Sequence, residues 1–192
     1  MKYVTVILLA LLSFTLSFAQ HKWVPVGASG NDEISIIAHD AASNVLYIGG
    51  AFSSIGGISA NSIVKYNGAN WTALGSGVTG DLKSIIVNGT KVYAGGYLTF
   101  AGGMPVSNIA VYDTISLTWS TLGAGTNSTI KCLAVYNNEL YAGGLFTQAD
   151  GNTVNYIAKW NGINWVDLAG GTDGEVDVLA VYNNELYVGG AF

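Results

Sequence analysis

Arginine is absent from the 192 residues and lysine is scarce: seven lysines face twelve carboxylates, for a net charge of −5. Such a chain lacks the cationic footprint that phosphate recognition needs. Nucleic acid is therefore not expected as a partner, and anionic membrane surfaces are disfavoured for the same reason. Histidine is nearly missing too, with His21 and His39 alone and far apart in sequence. First-row metals want clustered N, S or O ligands, so neither a metal site nor a cofactor is expected. Cys132 is the single cysteine, which excludes an internal disulfide. Proline occurs twice, against 26 glycines. Only a tenth of the residues is charged while half are apolar, which suits strands covered on both faces.

What is present is a repeat. Trp23, Trp71, Trp119 and Trp165 recur at steps of 48, 48 and 46 residues. An aromatic-Gly-Gly segment recurs with them at Tyr47–Gly50, Tyr93–Gly96, Tyr141–Gly144 and Tyr187–Gly190, and residues 133–141 reappear unchanged at 179–187. Glycines in register with a repeat are structural rather than a sign of disorder. Self-similarity at this period marks a propeller or an array. Cys132 aligns with Ser84 one repeat back and Val178 one repeat on, so it reads as a small core residue rather than a nucleophile.

Each unit resolves into four strand-like runs, a to d. Run a is apolar, at 34–39, 82–87, 130–136 and 176–182; run b ends in Gly-Gly; run c spans 61–66, 108–112 and 155–160; run d begins at the marker tryptophan. Runs a and b are joined by Asn88-Gly89, Asn137-Asn138 and Asn183-Asn184, pairs that tolerate positive φ and suit two-residue hairpins. No helical periodicity follows the first 19 residues. Four-stranded meanders repeated at ~45–50 residues predict an all-β propeller, with about 3.7 four-stranded blades visible. The units fall at 23–70, 71–118 and 119–164, with a partial one at 165–192. Solenoid coils are usually shorter, and a sandwich would not need the same Trp and Gly-Gly in each unit. The count predicts an incomplete propeller that associates through its open ends.

Residues 1–19 read as an export signal: Lys2, an apolar stretch over 4–18, and Ser17-Phe18-Ala19 before a cut. The stretch falls short of the ~20 residues that a membrane span needs. A secreted or cell-surface product is expected, spanning 20–192.

The run Asn108-Ile109-Ala110-Val111-Tyr112-Asp113, followed six residues later by Trp119, resembles the kelch repeat. The repeats are also similar to those of fungal cortical polarity markers and of secreted surface proteins of Bacteroidetes-type bacteria. The resemblance implies a β-propeller of the galactose-oxidase-like superfamily. Its copper-radical oxidases need two His, two Tyr and a Cys bonded to one Tyr, which His21, His39 and Cys132 do not supply. An enzyme is therefore not expected; the alternative is the propeller part of a secreted carbohydrate-active or oxidative enzyme with its catalytic residues elsewhere.

The expected function is non-catalytic binding of a protein or glycan. In an up-and-down blade the d–a and b–c loops share one face, and the b–c loops here are long, at 53–60, 99–107 and 147–154. Long loops on a rigid scaffold are where recognition usually resides. Asp81, Asn127, Asp150 and Asp173 are the candidate binding residues on that face. The tryptophans read as blade core, with sugar-stacking platforms as the rival reading. Asp173-Gly174-Glu175-Val176-Asp177 offers oxygen ligands at alternate positions for calcium, without a full loop motif. Asn70, Asn88 and Asn127 head N-glycosylation patterns, and Asp113-Thr114-Ile115 matches a bacterial O-glycosylation pattern; both are common by chance.

Overall fold

A computed structural model describes residues 30–192, and within them the chain is all-β. The export signal read over residues 1–19, His21 and the run expected to begin at Trp23 lie outside the described residues. The first blade comprises β1 (Ile34–Asp40), β2 (Val45–Gly50), the short hairpin β3 (Ser54–Ile55) and β4 (Ile58–Ser59), β5 (Ile63–Tyr66) and β6 (Trp71–Ala73). The second comprises β7 (Val78–Asn88), β8 (Lys91–Ala101), β9 (Met104–Pro105), β10 (Ile109–Asp113) and β11 (Thr118–Thr121). The third runs through β12 (Ile130–Tyr136), β13 (Glu139–Gly144), β14 (Gln148–Ala149), β15 (Asn152–Thr153), β16 (Ile157–Trp160) and β17 (Trp165–Asp167). The hairpin β18 (Val176–Tyr182) and β19 (Glu185–Gly190) begins a fourth. The sheet orders β1-β2-β5-β6, β7-β8-β10-β11 and β12-β13-β16-β17 are antiparallel a-b-c-d meanders, as the repeat predicts.

The turns follow their residues. Asn137 and Asn138 sit at φ 50° and 63°, and Asn183 and Asn184 at 47° and 58°, the left-handed pairs of a tight hairpin. The long b–c loops carry pairing of their own. Their arms pair as the small hairpins β3–β4 and β14–β15, and in the second blade β8 runs on to Ala101 and pairs with β9.

The Gly-Gly pair has two separate jobs. The second glycine faces a bulge that every blade carries in strand a, between Ile34 and Ile36, Leu82 and Ser84, Ile130 and Cys132, and Val176 and Val178. A Cβ at Gly96 would lie 2.1 Å from the Asp81 carbonyl oxygen, and at Gly144 2.2 Å from that of Thr129. Only glycine admits this approach. The first glycine leaves a hollow for the neighbouring blade: a Cβ at Gly95 would lie 2.9 Å from Ile130 Cγ2.

Blades stack through strand a, which in the third blade is buried on both faces. Ile130 and Leu133 pack with Ile109 and Val111 of the second blade, while Cys132 and Ala134 pack with Val176 and Leu179 of the fourth. That two-sided burial explains the unbroken apolar run Leu133-Ala134-Val135. Each fully buried Leu or Ile contributes roughly 1.5–3 kcal/mol.

The tryptophans add a latch that their spacing does not announce. Trp119 Nε1 donates to the Leu74 carbonyl at 2.7 Å, and Trp165 Nε1 donates to that of Leu122 at 3.1 Å. Each indole thus ties strand d of one blade to the end of strand d in the blade before it. Trp119 and Trp165 are core residues, as expected; Trp71 is only half-buried.

Candidate functional site

The innermost strands β1, β7, β12 and β18 stand side by side, so residues at equivalent positions form a belt at the long-loop face. Strand register aligns Ser35, Lys83, Lys131 and Asp177, with Glu33, Asp81, Thr129 and Glu175 two residues before them. Lys83 pairs with Asp81 of its own blade at 2.8 Å, both exposed. Lys131 reaches across to the fourth blade, 2.6 Å from Asp177 and 3.1 Å from Glu175. The hydrogen bonds to Asp177 and then Glu175 raise the Lys131 pKa and hold it charged. The belt carries four carboxylates (Glu33, Asp81, Glu175, Asp177) and two lysines. A cleft of about 460 Å³ opens there between the first and second blades, lined by Glu33, Ser35, Ala51, Asp81 and Lys83.

The four candidate residues separate into two pairs. Asp81 lies in the belt and lines the cleft. Asp173 is exposed on the d–a loop of the fourth blade. Asn127 instead holds a loop in shape: its Oδ1 accepts from the Thr147 and Gln148 amides at 3.0 Å each, and its Nδ2 donates to Thr147 Oγ1. Asn31 does the same for the first blade, on Ser53 and Ser54. Asp150 accepts from the Ala124 amide at 2.6 Å and the Trp165 amide at 2.7 Å. It stands where Gly56 and Gly102 stand in the earlier blades. There a Cβ would crowd the indoles of Trp71 and Trp119. Asp150, expected as a binding residue, thus pins two segments together.

Glu175 and Asp177, two of the oxygen ligands that the calcium reading offered, are turned onto Lys131. Among the described residues, no group of three or more His, Cys, Asp or Glu is placed to hold a metal. His39 closes β1, with Nε2 3.3 Å from Asn44 Oδ1. Burial pushes the Cys132 thiol up to about 12, which keeps it protonated and unreactive. The side chain of Asn127, engaged at both ends, is a poor glycan acceptor.

Sequence reasoning missed the belt because its members lie ~48 residues apart and belong to different units. The signal was available: the residue after each leading apolar position of run a is Ser35, Lys83, Lys131 and Asp177. A second groove, of about 380 Å³, lies on the short-turn face between Lys91, Tyr93, Glu139, Trp160 and Asn161.

Comparison with known proteins agrees with this architecture. The family model described as the Rax2 C-terminal beta propeller domain matches residues 11–179. That match fits the likeness to fungal polarity markers. No curated protein matches the chain. Among solved structures, it is similar to the crystal structure of the computationally designed Ika8 protein, at 12% identity and a TM-score of 0.44. The likeness covers 82% of this chain and 55% of that one, so the chain spans about half the length of the designed protein.

Proposed function

The chain belongs to the Rax2 C-terminal beta propeller domain family, and from that premise we propose that it is an exported, non-catalytic recognition module at the cell surface. It binds a protein or glycan partner through its long-loop face and needs no cofactor. The observation that carries this reading is the charged belt beside a cleft, framed by b–c loops that Asn31, Asn127 and Asp150 hold rigid. Rigid loops lose little freedom on binding, so more of the contact energy appears as affinity. The belt's mixed charges suit a polar partner with both donors and acceptors. The kelch-like run over 108–113 and the bacterial surface setting belong to the same reading, and export rests on residues 1–19.

The test uses labelled protein on intact cells, native, protease-treated or periodate-treated. We expect saturable binding that one of the two treatments removes, telling protein from glycan. Asp81→Lys combined with Lys131→Glu should weaken it at least tenfold, and Asn161→Ser on the short-turn face should not. Absence of saturable binding, or binding indifferent to the belt variant, would refute the reading. The groove on the other face, lined by Lys91, Glu139 and Trp160, supports a second reading only if Asn161→Ser proves to be the damaging change.

A further inference from the structure

The second blade differs from its neighbours where strand b leads into strand c. There β7 and β8 stay paired out to Val78 and Ala101, and β9 joins them as a third strand. Phe100 opposes Thr79 on one side and Pro105 on the other, and Tyr97 opposes Asp81. Opposed residues share a face of a sheet. The pairing skips Thr99, a bulge, so Tyr97 and Phe100 turn the same way although they are three residues apart. Leu98 and Ala101 face the other way and are buried. Tyr97 and Phe100 are 58% and 45% exposed, and Thr79, Asp81 and Pro105 are exposed beside them.

The neighbouring blades build the same rung without these side chains. Where the second blade pairs Phe100 with Pro105, the first pairs Ser54 with Ser59 and the third pairs Gln148 with Thr153. The position of Tyr97 holds Ala51 in the first blade and Leu145 in the third. Folding of the hairpin therefore does not call for exposed rings there. The second blade packs against a blade on each side, through Tyr47 and Ile63 of the first and Ile130 and Leu133 of the third, so an absent neighbour does not account for the exposure.

We propose that this platform docks a protein partner through an arginine side chain with an apolar residue next to it. The inference deepens the long-loop reading above and rests on it. Tyr97 offers an exposed ring and Asp81, directly opposite, a carboxylate. A planar guanidinium stacks on the first and forks to the second, which neither an ammonium nor a neutral sugar reproduces. Asp81 already takes a cation, Lys83 Nζ at 2.8 Å, and both partners are exposed. An exposed pair of this kind is worth little, so an incoming guanidinium displaces it at small cost. Phe100 and Pro105 carry no hydrogen-bonding side chain, which suits an apolar residue of the partner rather than the hydroxyls of a glycan. The chain's net charge of −5, with no arginine of its own, favours the approach of a cationic partner.

The test selects displayed random peptides on the immobilised chain, and offers the same chain an array of glycans. Tyr97→Ala, and Phe100→Ser combined with Pro105→Ser, give the second blade the residues of the first, and an unchanged melting curve checks that each variant folds. We expect the selected peptides to share an arginine beside an apolar residue. Their affinity in solution should fall about tenfold with Tyr97→Ala and with Asp81→Asn, and by a smaller factor with the Phe100 and Pro105 changes. It should fall as well when the peptide's arginine becomes lysine, and as salt is raised. Failure to select any peptide, a selected set without arginine, or binding that Tyr97→Ala leaves intact overturns the proposal. A glycan held by the unaltered chain and lost with Tyr97→Ala, with no peptide selected, overturns the protein partner. Peptides lost with Asp81→Lys and Lys131→Glu together, yet indifferent to the Tyr97 and Phe100 variants, overturn the platform and leave the long-loop reading standing; peptides indifferent to every one of these changes overturn both.

Discussion

Replacing Trp165 tests the blade-to-blade latch most sharply. Its side chain is 1% exposed and packs with Leu122, Phe146 and Ala158. Its ring lies 5.6 Å from that of Trp160 at 58°, a tilted aromatic pair worth about 0.5–1.5 kcal/mol. Its Nε1 donates to the Leu122 carbonyl of the preceding blade. Trp165→Ala removes all of this and leaves a cavity, which costs about 3–5 kcal/mol. Trp165→Phe keeps most of the ring burial and loses the donor, at about 1–2 kcal/mol. Domains hold only about 5–15 kcal/mol in total, so the alanine variant removes a large part of the stability. With a urea slope of ~2 kcal/mol per molar, the midpoint should fall by about 2 M for alanine and by about 0.5–1 M for phenylalanine. Far-UV circular dichroism reads the transition without relying on tryptophan emission. Asp173→Asn, on an exposed loop, should stay within about 0.5 kcal/mol of the unaltered protein. An alanine midpoint within error of the original would refute the latch. If that variant were also blind to a glycan the original binds, the sugar-platform reading would replace it.

Three further outcomes follow from the geometry. Gly143→Val should destabilise by about 1–3 kcal/mol through overpacking against Val176; an unchanged midpoint in urea titration would contradict the close packing of Val176 at that glycine. Cys132 should resist thiol reagents at neutral pH until the protein unfolds, so labelling at the rate of a free cysteine would show that the strand opens more easily than its burial implies. Asp113, whose pKa is lowered to about 2 by Lys91 and by the Ile115 and Ser116 amides, should contribute stability that is present above about pH 4 and is lost as pH falls through about 2; Asp113→Asn should flatten that part of the acid-unfolding curve, and an unchanged curve would remove the residue from the account.

The repeat made the blades legible because each sheet is a local meander: beyond the first blade, strands a and b are joined by Asn-Asn or Asn-Gly turns with left-handed φ angles at Gly89, Asn137, Asn138, Asn183 and Asn184. The double glycine was legible as a close approach, but not its division of labour. That division involves the bulge opposite Gly144 and the next blade's Val176 at Gly143. What escaped the sequence lies between units. The bonds from the Trp119 and Trp165 indoles to Leu74 and Leu122, and the pairing of Lys131 with Asp177, join residues 43–46 positions apart. Neither period nor propensity encodes such bonds. Asp150 was legible as a loop residue but not as a clasp, because its partner amides at Ala124 and Trp165 belong to other segments. Of the four candidate binding residues, Asp81 sits in the belt, Asp173 is exposed on a neighbouring loop, and Asn127 and Asp150 shape the scaffold around them.

The central claim is that recognition resides on the long-loop face, and site-directed photo-crosslinking tests it most directly. A benzophenone side chain placed at Asp81 or Asp173 probes that face; one at Gly89 or Gly162 probes the short turns and the opposite groove. After irradiation on intact cells, adducts should form from positions 81 and 173 and not from 89 or 162. Adducts confined to 89 and 162, or equal from all four, would contradict the account.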